Sequence, residues 1–172
     1  MSFSRRLSVL LLLVAPCCAL AGDARHDAND RAALIGSWDL VSVENRAIDG
    51  SVSKPFGAAP VGRITYGADG HMSAQLMRAG RASFASNELY GGSDAEQRKA
   101  YQSFIAYYGS FEVNSATQVV THHVIGSLFP NWSGRDQRRR YAIKGDELEL
   151  SSRPFIAQGK QVTAHVLWRR AH

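Results

Sequence analysis

Cysteine is nearly absent from this chain. Its 172 residues hold two, Cys17 and Cys18, side by side near the start. If the segment that carries them is removed, no thiol remains, and a disulfide framework or thiolate metal site is excluded. Long apolar runs are missing too: Leu7 to Val14 is too short to span a bilayer as a mature helix. There is no Gly-x-Ser-x-Gly elbow, no phosphate-cradling glycine loop and no His-Glu-x-x-His. Asp94 and Glu96 suit a helix start, and Glu147 and Glu149 a polar strand face, so no carboxylate pair for hydrolysis stands out. No cofactor is expected. The one dense basic run, Arg138-Arg139-Arg140, lies in a strand pattern without interleaved stacking aromatics. Nucleic acid is therefore not an expected partner.

What is present begins with a leader. Arg5 and Arg6 precede the apolar stretch, and Ala19-Leu20-Ala21 supplies small residues where a signal peptidase reads. Residues 1–21 read as a secretory signal cleaved after Ala21, which predicts a periplasmic or secreted protein with no membrane span after cleavage. Pro16 argues against lipid attachment at Cys17. Losing Arg5 and Arg6 from the 20 Lys+Arg leaves 18 against 15 Asp+Glu, an excess of +3. Residues 22–33 are polar and read as a flexible lead-in, ending in a helical turn at Arg31 to Leu34. Residues 34–172 read as one domain.

That domain is a succession of strand signals. Trp38 to Asn45, Val61 to Gly67 and Met72 to Met77 come first, the last two joined by an Asp69-Gly70 turn. Ser93-Asp94-Ala95-Glu96 is a capping box. Tyr101, Phe104, Ile105 and Tyr108 then fall at helical spacing, predicting a helix over about Asp94 to Tyr108 with Gly109 as its stop. Strands resume at Ser110–Val113, Thr117–Gly126, Asp136–Lys144, Glu147–Ser152 and Gln161–Arg170. The fold class is all-β: eight antiparallel strands in an up-and-down barrel, with one helix between strands three and four. Closure removes exposed edges. A two-sheet sandwich is the competing arrangement.

Six stretches carry a family resemblance. They are Gly36-Ser37-Trp38-Asp39-Leu40-Val41-Ser42, Pro55-Phe56-Gly57, Asp69 to Gln75, His122-His123-Val124, Phe129 to Gly134 and Gly145 to Leu150. In that order they resemble the bacterial and fungal lipocalin-like domain family, a group of calycin-type barrels, over about Leu34 to Arg170. The resemblance implies a ligand cavity. It also implies that the tryptophan of Gly36-x-Trp38 packs at the closed barrel end against Arg169 or Arg170 of the last strand, a structural role. Lipocalins with a helix after the eighth strand differ from this pattern.

Candidate ligand contacts follow from strand period. Gln137, Arg139, Tyr141 and Ile143 share one face and are expected inside, with Arg138, Arg140 and Lys144 in solvent. A desolvated Arg139 needs an anion, from a ligand or from an internal carboxylate. His122 is in register with Val120 and Val124 and is expected inward, with His123 outward. Gln75 and Tyr66 are further candidate lining groups. Trp132 is placed either to cap the mouth or to anchor its turn, and the aromatic stripe of the helix is placed as a lid or as plain packing. Adjacent histidines on a strand splay apart, so no metal site is expected. The resulting expectation is an exported barrel binding a small, largely apolar or acidic molecule. The alternatives are a cofactor-free isomerase or cyclase using His122 with Arg139 and Tyr141, or a filled barrel acting through its surface. Nothing in the sequence sets an oligomeric state.

Overall fold

The computed structural model describes the backbone from residue 18 and the side chains from residue 25, both to His172. The elements are α1 (Cys18–Leu34), β1 (Gly36–Ala47), β2 (Val52–Ser53), β3 (Val61–Tyr66), β4 (His71–Met77), α2 (Asp94–Gln102), β5 (Phe104–Asn114), β6 (Val119–Ser127), β7 (Asp136–Lys144), β8 (Glu147–Ser152), β9 (Phe155–Ala157) and β10 (Lys160–Arg170). The sheet order is β2-β1-β3-β4-β5-β6-β7-β8-β10-β9, and β1 also pairs β10. That last ladder closes eight long antiparallel strands into a barrel and sets aside the sandwich. β2 and β9 are short annexes to β1 and β10.

The inner wall follows from strand alternation. Met72, Ala74 and Leu76 are buried on β4, Val120, His122 and Val124 on β6, and Leu148 and Leu150 on β8. On β1 the register shifts between Leu40 and Ser42. This bulge lets Leu40 and Val43 both face inward, three residues apart. Ile64, Phe111, Tyr141 and Trp168 complete the core.

One barrel end is sealed. Trp38 is fully buried and its indole N–H donates to the Leu34 carbonyl at 2.9 Å. Arg170 lies 4.0 Å over the Trp38 ring and donates to the carbonyls of Ala33 and Ile35. The partner of Trp38 is thus Arg170. Arg169 is exposed and pairs with Glu147 at 3.7 Å, because Trp168 points inward and period two turns Arg169 outward.

Where a flexible lead-in was expected, the chain forms α1. Its grip on the barrel is polar as well as apolar. Asp27 accepts from the Ser115 amide at 2.6 Å, Arg31 reaches the Ala68 carbonyl and lies 4.9 Å from the Phe111 ring, and Leu34 is fully buried. Most of the signal expected over 1–21, and Cys17 with it, lies outside the described residues.

The expected helix from Asp94 to Tyr108 stops at Gln102. Its capping box forms, with Glu96 accepting from the Ser93 amide at 2.7 Å. Beyond Ser103 the chain is strand, and Ile105, Tyr107, Gly109 and Phe111 take the inner face at period two. Gly109 is no helix stop. A Cβ there would sit 1.9 Å from the His123 carbonyl oxygen, so glycine permits the close approach of β6.

Candidate functional site

Three aromatic or imidazole side chains meet inside the barrel. β6 turns His122 inward and buries it completely. From β3, the Tyr66 hydroxyl lies 2.8 Å from His122 Nε2, and from β5 the Tyr107 hydroxyl lies 3.0 Å from Nδ1. Burial, with Arg139 and His123 adding to it, takes the His122 pKa down from 6.5 to about 3. The ring is therefore neutral at ordinary pH. Burial likewise raises the pKa of both tyrosines. His123, on the outer wall, is bonded to Asp136 at 2.7 Å, and that bond raises its pKa.

β7 presents Gln137, Arg139 and Tyr141 to the interior. Arg139 is half-buried. It donates to Gln137 Oε1 and to the Arg138 carbonyl, both at 3.1 Å. Among the described residues it forms no ion pair. Its guanidinium carbon is 6.0 Å from the Trp132 ring. Tyr141 turns elsewhere: its hydroxyl donates to Asp30 of α1. Burial and that carboxylate raise its pKa.

Trp132 stands at the unsealed end, in the β6–β7 loop. It packs edge-on against Tyr107 at 5.6 Å and Phe129 at 5.8 Å. With Phe56, Phe104, Ile105, Leu128 and Phe129 it lines a rim groove of about 210 Å³. Among the described residues a larger concavity, of about 710 Å³, is lined by Arg138, Arg139, Arg140 and Arg153, and another of about 400 Å³ lies beside α2.

Of the residues singled out in the sequence, Tyr66, His122, Gln137, Arg139 and Tyr141 face the interior, and Trp132 sits at its mouth. Gln75 does not join them. It alternates with buried Ala74 and Leu76 and pairs with Arg63 on the outer wall. His122, Arg139 and Tyr141 are not hydrogen-bonded to one another, and both nitrogens of His122 are taken by tyrosines. The sequence reading missed Tyr107, which it placed within a helix, and Asp30, which it placed in a lead-in. The alternation Ile105-x-Tyr107-x-Gly109-x-Phe111 carried the signal for the first. Asp30 had none, since its partner is 111 residues away.

A family profile described as a lipocalin-like domain matches residues 35–171. A protein of Aspergillus oryzae (strain ATCC 42149 / RIB 40), named 4'-hydroxy-3'-methoxypropiophenone carrier protein ppsC, is 38% identical over 106 residues. That alignment covers 58% of this chain and 96% of the relative.

Proposed function

The chain belongs to the lipocalin-like domain family, and from that premise we propose that it is an exported binding protein. Its barrel takes up a small, largely apolar molecule with a polar or acidic head. The observation that carries this reading is Arg139: a half-buried, inward-facing guanidinium with no carboxylate partner among the described residues, next to an aromatic rim. Buried cations are ordinarily paired within the protein. Arg139 has only a side-chain amide and a backbone carbonyl, which leaves room for an anionic or strongly accepting oxygen. The rim groove, at about 210 Å³, is below the range of roughly 300–1,000 Å³ usual for drug-sized ligands, and it suits one substituted ring. The relative is named for carrying an aromatic ketone, a molecule of that kind.

Export is read from the leader. Among the described residues, the α1 side chains that touch the barrel include Asp27, Asp30, Arg31 and Leu34, which lie beyond Ala21. Cleavage there leaves them in place.

The test is titration of tryptophan fluorescence with small aromatic acids, together with native mass spectrometry. Wild type is expected to bind. Arg139→Met is expected to lose about tenfold or more in affinity for acids, the scale of a charge-assisted hydrogen bond. Equal binding by the two proteins removes Arg139 from the reading. N-terminal sequencing of exported protein is expected to begin at Gly22.

A further inference from the structure

The buried hydrogen-bond chain has one proton too many. A neutral imidazole offers one N–H and one bare nitrogen. Of the two hydroxyls that bracket His122, one must donate to the bare nitrogen and the other must accept the ring N–H. The accepting hydroxyl keeps its own proton. No described residue takes that proton, although Tyr66 is 1% exposed and Tyr107 7%. Buried donors are almost always satisfied. A second buried donor, the indole N–H of Trp168, also lacks an acceptor among the described residues. Arg139 adds more donors, and the carboxylate of Asp30 is engaged by Tyr141. The interior is thus rich in donors, and its guest must bring acceptors.

Position in the barrel points to the hydroxyl that is left over. The 2.8 Å contact to Nε2 and the 3.0 Å contact to Nδ1 each fit donation in either direction, so the surroundings of the two tyrosines decide. Tyr66 packs on Phe111 at 4.8 Å, in the core. Tyr107 packs on Trp132, which lines the rim groove and faces Arg139. We propose that Tyr66 donates to Nε2 of His122, that Nδ1–H donates to Tyr107, and that the remaining Tyr107 proton recognises the carbonyl oxygen of an aryl ketone entering from the rim. This rests on the binding reading above and names the chemistry by which that site selects.

Two measurements test it. The first needs no ligand: ¹⁵N NMR of the imidazole in wild type is expected to show the proton on Nδ1. A proton on Nε2 assigns the free hydroxyl to Tyr66 and overturns the inference. The second compares propiophenone with propylbenzene, which has nearly the same shape and no oxygen. Wild type is expected to prefer the ketone by about tenfold, one neutral hydrogen bond in a dry site. Tyr107→Phe keeps the ring and is expected to abolish that preference while leaving propylbenzene affinity unchanged. Retained propylbenzene binding certifies its fold. Equal affinity of wild type for the two probes overturns the inference and leaves the binding reading intact. Failure of wild type to bind either these probes or aromatic acids removes both.

Discussion

His122 ties function to acid stability. In the unfolded chain its ring takes a proton near pH 6.5, but in the barrel only near pH 3. Between those values the unfolded state binds more protons, so stability falls as pH falls. From pH 7 to pH 4 the loss is on the order of 3 kcal/mol. His123 works in a different window. Its pKa is raised by Asp136, so its small contribution is complete below 6.5 and fades as pH climbs through the raised value. Carboxylates with lowered pKa, such as Asp49 at about 2, add their own acid sensitivity. His122→Gln keeps a donor and an acceptor between the tyrosines without a titrating proton. Urea unfolding across pH is expected to give this variant a visibly flatter slope from pH 6.5 to 4; an unchanged slope would remove His122 as the cause. A second residue pair separates two neighbours. Arg170→Ala forfeits the indole contact and two carbonyl hydrogen bonds and is expected to cost roughly 1–3 kcal/mol. Arg169→Ala, on the surface, is expected to stay within about 0.5 kcal/mol. Urea midpoints decide. At this scale, inward and outward positions on β3, β6 and β7 were legible from period two alone. The choice between Arg169 and Arg170 stays open in the sequence, although period two already puts Arg170 on the face of Trp168 and Arg169 on the other; what is missing there is that Trp168 faces inward.

The two helices show where element reading succeeds and where it fails. The start of α2 was legible because a capping box is a local chemical fact: Ser93 and Glu96 are three residues apart and satisfy each other's amides. Its end was not, because Phe104, Ile105 and Tyr108 satisfy helical spacing while Ile105, Tyr107 and Phe111 satisfy strand spacing. Pairing with β4 and β6 decides for the strand. α1 escaped detection for another reason. It carries no apolar stripe and is anchored by Asp27, Asp30 and Arg31, whose partners lie far along the chain. The packing of α2 yields a prediction. No residue of α2 is buried, so the helix depends on its cap and adds little to the barrel. Ser93→Ala is expected to weaken the helix by about 1 kcal/mol. Hydrogen exchange at the α2 amides should quicken by roughly fivefold, the rate equivalent of that loss. The urea midpoint of the barrel should hardly move. A large fall in that midpoint would show α2 to be part of the cooperative core.

Closure of the whole molecule depends on its two most distant long strands. β1 and β10 run antiparallel from Trp38 opposite Arg170 to Ala47 opposite Val162. Before this ladder forms, both strands are sheet edges with unpaired amides, and edges invite association with other chains. The order of the barrel was legible because consecutive strands neighbour each other around it, joined by turns with glycine at positive φ, as at Gly70 and Gly145. Closure was argued from the edge problem alone, and no single residue announces it. The seam also holds the fully buried Trp38 and the nearly buried Trp168, so it supplies core as well as hydrogen bonds. A chain ending at Gly159 loses β10, the Trp168 side chain and the Arg170 contact with Trp38 together. It is expected to show no cooperative unfolding transition and to elute as aggregate in size-exclusion chromatography. A monomeric fragment that still melts cooperatively would mean that the remaining strands make a stable open sheet. The sealed end would then be a consequence of folding rather than one of its requirements.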